Sequence, residues 1–160
     1  TRIVLASTSH ARRLLLTNAG IEFESVAAPV DERALEAPLI AKGAHPSELA
    51  LALAEAKALA VLALHPHALV IGGDQVLDLD GERLVKPGSR PAAAAQIARL
   101  AGRTHVLRTA VVLARRGGIA WARYGLRISS RAQQDHPLRH RPRARAQSGL
   151  NHTLKRNLDL

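Results

Sequence analysis

Ile3-Val4-Leu5-Ala6-Ser7-Thr8-Ser9-His10-Ala11-Arg12-Arg13 is the stretch on which the fold turns. Three branched apolar residues read as a short buried strand, and Ser7–Ser9 as the loop that leaves it. His10 to Ala19 then reads as a helix, stopped by Asn18-Ala19-Gly20. Strand, hydroxyl loop and helix in that order form the first half of an α/β unit. The loop after such a strand, with free N–H groups at the start of the next helix, is a common anion site.

The rest of the chain repeats the alternation. Phe23–Ala27 reads as a strand, and a short helix is expected around Ala34–Ala41. Ser47 is the expected N-cap of a long Ala/Leu-rich helix over Glu48–Leu64. Leu69-Val70-Ile71 reads as a strand ending in Gly72-Gly73-Asp74. Val76–Leu79 and Glu82–Val85 read as a hairpin around Asp80-Gly81, a pair suited to a type I′ turn. Ser89 and Pro91 open a helix through Leu100. Thr104–Ala114 and Ile119–Tyr124 read as two further strands. Strand and helix alternate, so the fold class is α/β.

Composition narrows the function classes. The chain has 160 residues and is 47% apolar but only 2% aromatic, so the core must be built from Ala, Leu, Val and Ile. No apolar run approaches the about 20 residues of a membrane span, so no membrane partner is expected. The absence of cysteine excludes disulfides and thiolate metal sites and fits a cytoplasmic setting. The net charge of +10 invites nucleic acid, but its distribution argues against it. Residues 126–160 hold 8 Lys/Arg against 2 Asp/Glu, leaving 15 against 11 in residues 1–125. The excess is in a segment without periodicity, and there are few aromatics to stack on bases. We therefore expect a domain over residues 1–125 and a basic, disordered tail over 126–160.

The residues that could do chemistry are few. Ser7, Ser9, Arg12 and Arg13 suit phosphate, which arginine holds through two parallel hydrogen bonds. The same pair is equally consistent with a solvated helix start. Asp74, after two glycines, could hold Mg²⁺ or take a proton from water, or simply cap a strand end. Asp31 and Glu32 offer further carboxylates, or surface charge. Lys57 lies among alanines that would let a substrate approach, although a helical lysine is ordinarily solvent-facing. Lys86-Pro87 carries the same ambiguity. The eight histidines have no metal-site spacing, and no Walker A or Gly-x-Gly-x-x-Gly run is present.

In order along the chain, Leu5–Ser9 with Arg12-Arg13, Gly20-Ile21, Asp31-Glu32, Ala54-Glu55-Ala56-Lys57-Ala58, Gly73-Asp74-Gln75-Val76, Lys86-Pro87 and Leu100–His105 resemble the Maf family of nucleoside triphosphate pyrophosphatases. The resemblance covers about the first 124 residues. It implies a Maf/inosine triphosphatase-like fold, a twisted mixed sheet flanked by helices with a cleft between lobes. It also implies a cytoplasmic enzyme that cleaves a nucleoside triphosphate to monophosphate and pyrophosphate with a divalent metal such as Mg, Mn or Co. Asp74 matches the family's proton acceptor. Ser9, Arg12, Lys57 and Lys86 match its phosphate-binding residues, with Arg13 beside them, and Glu32 with Asp74 stands at the metal position. Gln75 resembles the branch acting on 7-methyl-GTP, where the dTTP/UTP branch has threonine. Ala11 stands where the first branch often has an aromatic and the second an arginine.

The family's later blocks have no counterpart after Tyr124. The run Arg139–Arg145 reads as a shifted reading frame, which would remove part of the second lobe. Exposed strand edges would then favour a homodimer. Two alternatives stay open at this point: a catalytically impaired nucleotide-binding remnant, and a nucleic-acid-binding module using the basic tail.

Overall fold

The computed structural model of the protein describes residues 1–131, with residues 124–131 described by their backbone alone. Within them, β1 (Ile3–Leu5), α1 (His10–Asn18), β2 (Glu24–Ser25), α2 (Glu32–Ala41), α3 (Pro46–Leu64), β3 (Leu69–Leu79), β4 (Glu82–Leu84), α4 (Arg90–Leu100), β5 (Thr104–Arg115) and β6 (Gly118–Arg131) follow in order. One six-stranded sheet runs β2-β1-β3-β5-β6, with β4 attached to β3. β1 is parallel to β2 and β3, whereas β3–β4, β3–β5 and β5–β6 are antiparallel. The sheet is therefore mixed and the class α/β, as expected.

Several local expectations need correction. Asp74 does not end a strand. β3 runs unbroken through Gly72-Gly73-Asp74, because Val70–Asp78 pairs residue by residue with Val106–Ala114 of β5. Ser47 does not cap α3. His45 does, its Nδ1 accepting from the Ser47 N–H while the Glu48 carboxylate accepts from the His45 N–H at 2.7 Å, and Pro46 occupies the first helical position. Asp31 starts α2 by accepting from the Ala34 N–H at 3.0 Å. β2 is only two residues long. β6 continues to Arg131, past the expected end at Tyr124, and the remainder of the expected 126–160 tail lies outside the described residues. The β3–β4 turn is as read: Asp80 and Gly81 have φ of 54° and 87°, the two positive angles that a type I′ turn requires.

The core lies where α3 crosses β3 and β5. Leu49, Ala50, Ala54, Ala58 and Val61 of α3 cluster with Val70, Val76, Ala110, Val112 and Ala114 of the sheet, and Leu53 is buried on the same helix. With so few large side chains the layers must come close. Gly72 sets the limit: a Cβ there would lie 2.4 Å from the Ala54 carbonyl oxygen and 2.8 Å from the Ala58 Cβ. Gly72→Ala must push helix from sheet, at the overpacking cost of roughly 1–3 kcal/mol. Urea unfolding should show that loss, while Gly88→Ala, whose Cβ would meet nothing within 4 Å, serves as control.

Two buried ion pairs join the apolar core. Arg83 of β4 pairs with Glu36 of α2, whose side chain is only 5% exposed. Arg108 Nε of β5 donates to Asp78 of β3 at 2.7 Å, and Asp78 also accepts from the Gly81 N–H at 2.7 Å.

Candidate active site

Side chains alternate along β3, and this alternation builds the site. Gly72 and Asp74 face α3. Gly73 and Gln75 face the other side, toward α1. Asp74 is 7% exposed. Its neighbour two residues back has no side chain, so α3 lies close enough for Lys57 to reach it. Lys57 Nζ donates to Asp74 Oδ1 at 2.6 Å and lies 2.8 Å from Glu32 Oε1. One ammonium thus joins a carboxylate from β3 to one from the first turn of α2. Lys57 sits on the buried stripe of its helix, not on the solvent face.

The electrostatics follow from this packing. Burial raises the Asp74 pKa above the ordinary aspartate value, and Lys57 and Arg12 only partly oppose it. Burial works against the Lys57 charge, but its bonds to Asp74 and Glu32 prevail and raise its pKa. Burial likewise raises Glu36 despite Arg83, with Glu32 and Asp74 close enough to add to the effect.

On the other side of the β1 loop, Arg12 Nη1 donates to Ser7 Oγ at 3.1 Å. Ser7 Oγ also accepts from the Ser9 N–H at 3.2 Å, and the Ser7 carbonyl accepts from Ser25 Oγ at 2.6 Å. Ser7 is thus the hub that orients Arg12. Ser9 occupies the N-cap of α1 and makes no side-chain cap bond. Its hydroxyl and the first turn of the helix remain available to an anion.

Two cavities meet at Ser9 and Arg12. One, about 310 Å³, is polar and lined by Ser7, Thr8, Ser9, Arg12, Glu32 and Lys57. The other, about 290 Å³, is largely apolar and lies between α1 and the sheet, with Ala11, Leu16, Ile71, Gln75, Thr109 and Val111 among its walls. The structure therefore brings Ser9, Arg12, Lys57, Glu32 and Asp74 together and sets Gln75 and Ala11 in the adjoining apolar cavity. It leaves Arg13 and Lys86 exposed, lining neither of these two cavities. Sequence reasoning named Ser7 only as one hydroxyl among three, and it held Thr109 as part of the resemblance without giving it a role. The register sets Thr109 opposite Gln75.

The family model described as Maf-like protein matches residues 2–136. The chain belongs to the Maf-like protein family. Among curated relatives of this Maf-like chain, a 7-methyl-GTP pyrophosphatase of Brucella abortus is 51% identical over 120 residues, covering 75% of this chain and 60% of that protein. Another of that name from Mesorhizobium japonicum is 48% identical over 125 residues, covering 78% and 63%. A nucleoside triphosphate pyrophosphatase of Caulobacter vibrioides is 48% identical over 121 residues, covering 76% and 60%. The match thus spans about 60% of the length of these relatives. No helix among the described residues is long and apolar enough to cross a membrane.

Proposed function

We propose that this Maf-like chain acts as a nucleoside triphosphate pyrophosphatase, with 7-methyl-GTP or a similar modified purine nucleotide as its substrate. The observation that carries the reading is the pair of cavities sharing Ser9 and Arg12. A nucleotide has a polyanionic arm and a flat apolar ring on one short sugar, and the two cavities have those two characters side by side. The relatives' names support the same reaction.

In this reading Arg12, Ser9 and the first turn of α1 hold the phosphates. Asp74 takes the proton of a water molecule as its oxygen bonds to the α-phosphorus. The bond from that phosphorus to the bridging oxygen breaks, and pyrophosphate leaves. Lys57 keeps Asp74 aimed, and the raised Asp74 pKa makes it a better base than an exposed aspartate. The charge balance asks for a divalent cation: of the two basic side chains among the described residues that line the polar cavity, Lys57 is already shared by two carboxylates, which leaves Arg12 to face a triphosphate. Glu32 and Asp74 converge on one cationic group, and two carboxylates plus substrate phosphates suffice for Mg²⁺. When bound, the ion would neutralise charge developing on the phosphates. Cytoplasmic residence and a homodimer accord with this reading.

The test is pyrophosphate release by the purified chain over canonical and modified nucleotides, with Mg²⁺, Mn²⁺ or Co²⁺ and with chelator. We expect metal-dependent release, highest with a modified guanine nucleotide. A clear preference for dTTP or UTP would overturn the substrate assignment. Tight nucleotide binding with no release under any metal would instead favour a binding remnant, consistent with the share of its relatives that the chain spans.

A further inference from the structure

The loop that holds Arg12 takes its shape from β2. The chain leaves β1 after Leu5, whose carbonyl accepts from the Val26 N–H and from the Ser7 N–H, each at 2.9 Å. The Ser7 carbonyl lies past the end of the β1–β2 ladder, which pairs Leu5 with Ser25. There the Ser25 hydroxyl donates to it at 2.6 Å. Ser7 is therefore held at both backbone groups, its N–H by Leu5 and its carbonyl by a side chain of the neighbouring strand.

Chemistry leaves each of these bonds one direction. A carbonyl only accepts, so the Ser25 hydroxyl must donate to it. An arginine N–H and a backbone N–H only donate, so Ser7 Oγ accepts from both Arg12 and Ser9. Neither hydroxyl can exchange roles with these partners. The N–H bond restrains φ of Ser7 and the carbonyl bond restrains ψ. The Ser7 Cβ then points one way, and its Oγ stands where it can take the Arg12 proton. Without the Ser25 bond, ψ is free to turn. Ser9 and the start of α1 lie beyond that bond and would shift against β1, and the acceptor that aims Arg12 would lose its place.

Accepting the phosphate role proposed above for Arg12 and Ser9, we propose that Ser25 is a positioning residue of the phosphate site. Ser25 lines neither cavity, so it does not meet the anion itself. Its hydroxyl acts through the Ser7 carbonyl on the guanidinium that does.

The test compares the parent chain, Ser25→Ala and Ser25→Thr. Two quantities are measured: the Kd of inorganic triphosphate with Mg²⁺, and the order of the Arg12 side chain. The latter is read from the heteronuclear NOE of the Arg12 Nε–H signal, identified by its loss in Arg12→Lys. In Ser25→Ala we expect binding weaker by about fivefold, the worth of one neutral hydrogen bond, and an Arg12 signal that becomes averaged. Ser25→Thr, which keeps a hydroxyl, should restore both. The Val26 amide, bonded to Leu5, should stay protected from exchange in Ser25→Ala. If it exchanges freely, β2 has come away from β1 and the effect is not the hydroxyl's, which overturns the inference. Should alanine not fold, Ser25→Cys keeps the bulk with only a weak donor and is held to the same outcomes. An unchanged Kd, or an Arg12 signal as ordered as the parent's, overturns the inference and leaves the phosphate site standing. So does an Arg12 signal already averaged in the parent. A parent that does not bind triphosphate overturns both.

Discussion

Asp74→Asn should lower turnover by roughly 10²–10⁴, the usual weight of a general base, and at the same time make the metal-free protein more stable. The two effects have one origin. Burial raises the Asp74 pKa, so the folded chain holds a proton there more tightly than the unfolded chain does. Between the two pKa values the folded state binds more protons, and the stability contributed by this group falls as pH rises through the folded value. Asparagine removes that charge for good. The variant's advantage over the parent should therefore be small where Asp74 is protonated and grow as pH rises above the ordinary carboxylate range. Denaturant midpoints of the metal-free proteins from pH 4 to 7 would measure it, alongside steady-state turnover with Mg²⁺. A variant with near-parental turnover would remove Asp74 from the chemistry. One destabilised increasingly toward pH 7 would mean that the Lys57 pair outweighs the cost of burial.

Arg83→Met should be the most damaging single change to the fold among those considered. It strips the partner from Glu36, whose carboxylate then sits buried without a cation. Removing one member of a buried pair costs about 3–5 kcal/mol. Here the lower end is expected, because burial already raises Glu36 and a proton can relieve the defect. That relief has a sign: the deficit should shrink as pH falls toward the raised carboxylate value and be largest near neutrality. Glu36→Gln combined with Arg83→Met should recover much of the loss, since no charge then remains to be stranded. Urea midpoints at pH 5 and 7 for the single and double variants decide it. A single variant as stable as the parent at pH 7 would show that the pair contributes nothing.

How much of this was legible depended on range. The I′ turn at Asp80-Gly81 was readable because its constraint is local: few residues other than Gly, Asn and Asp accept positive φ. The alternation of strands and helices was readable from short apolar runs. The α3 cap was missed because histidine is rarely a cap, and Ser47 two residues on was the better textual candidate. Asp74 was placed at a strand end because Gly-Gly resembles a stop. In the fold those glycines admit a helix on one side and the Arg12 side chain on the other, and β5 supplies the ladder that keeps the strand going. Lys57 looked solvated because an Ala-rich helix has no polar face against which to judge it. Arg83 and Arg108 could not be read at all, since their carboxylates lie 47 and 30 positions away. The site residues were found as types and spacings. Their convergence needed the sheet.

The missing side chain at position 72 acts as a gauge. Helix and sheet meet there backbone to side chain, with the Ala54 carbonyl and the Ala58 methyl already inside the space that one carbon would need. Lys57 lies between those two alanines on the same helix, so the height of its ammonium above β3 is set by that contact and not by the lysine. A spacer as thin as one methyl, placed two residues from Asp74, would lift the cation off the β3 carboxylate. Substitutions elsewhere in α3 that flex this seam should then register first as a change in the ionisation of Asp74, before any loss of helix is visible.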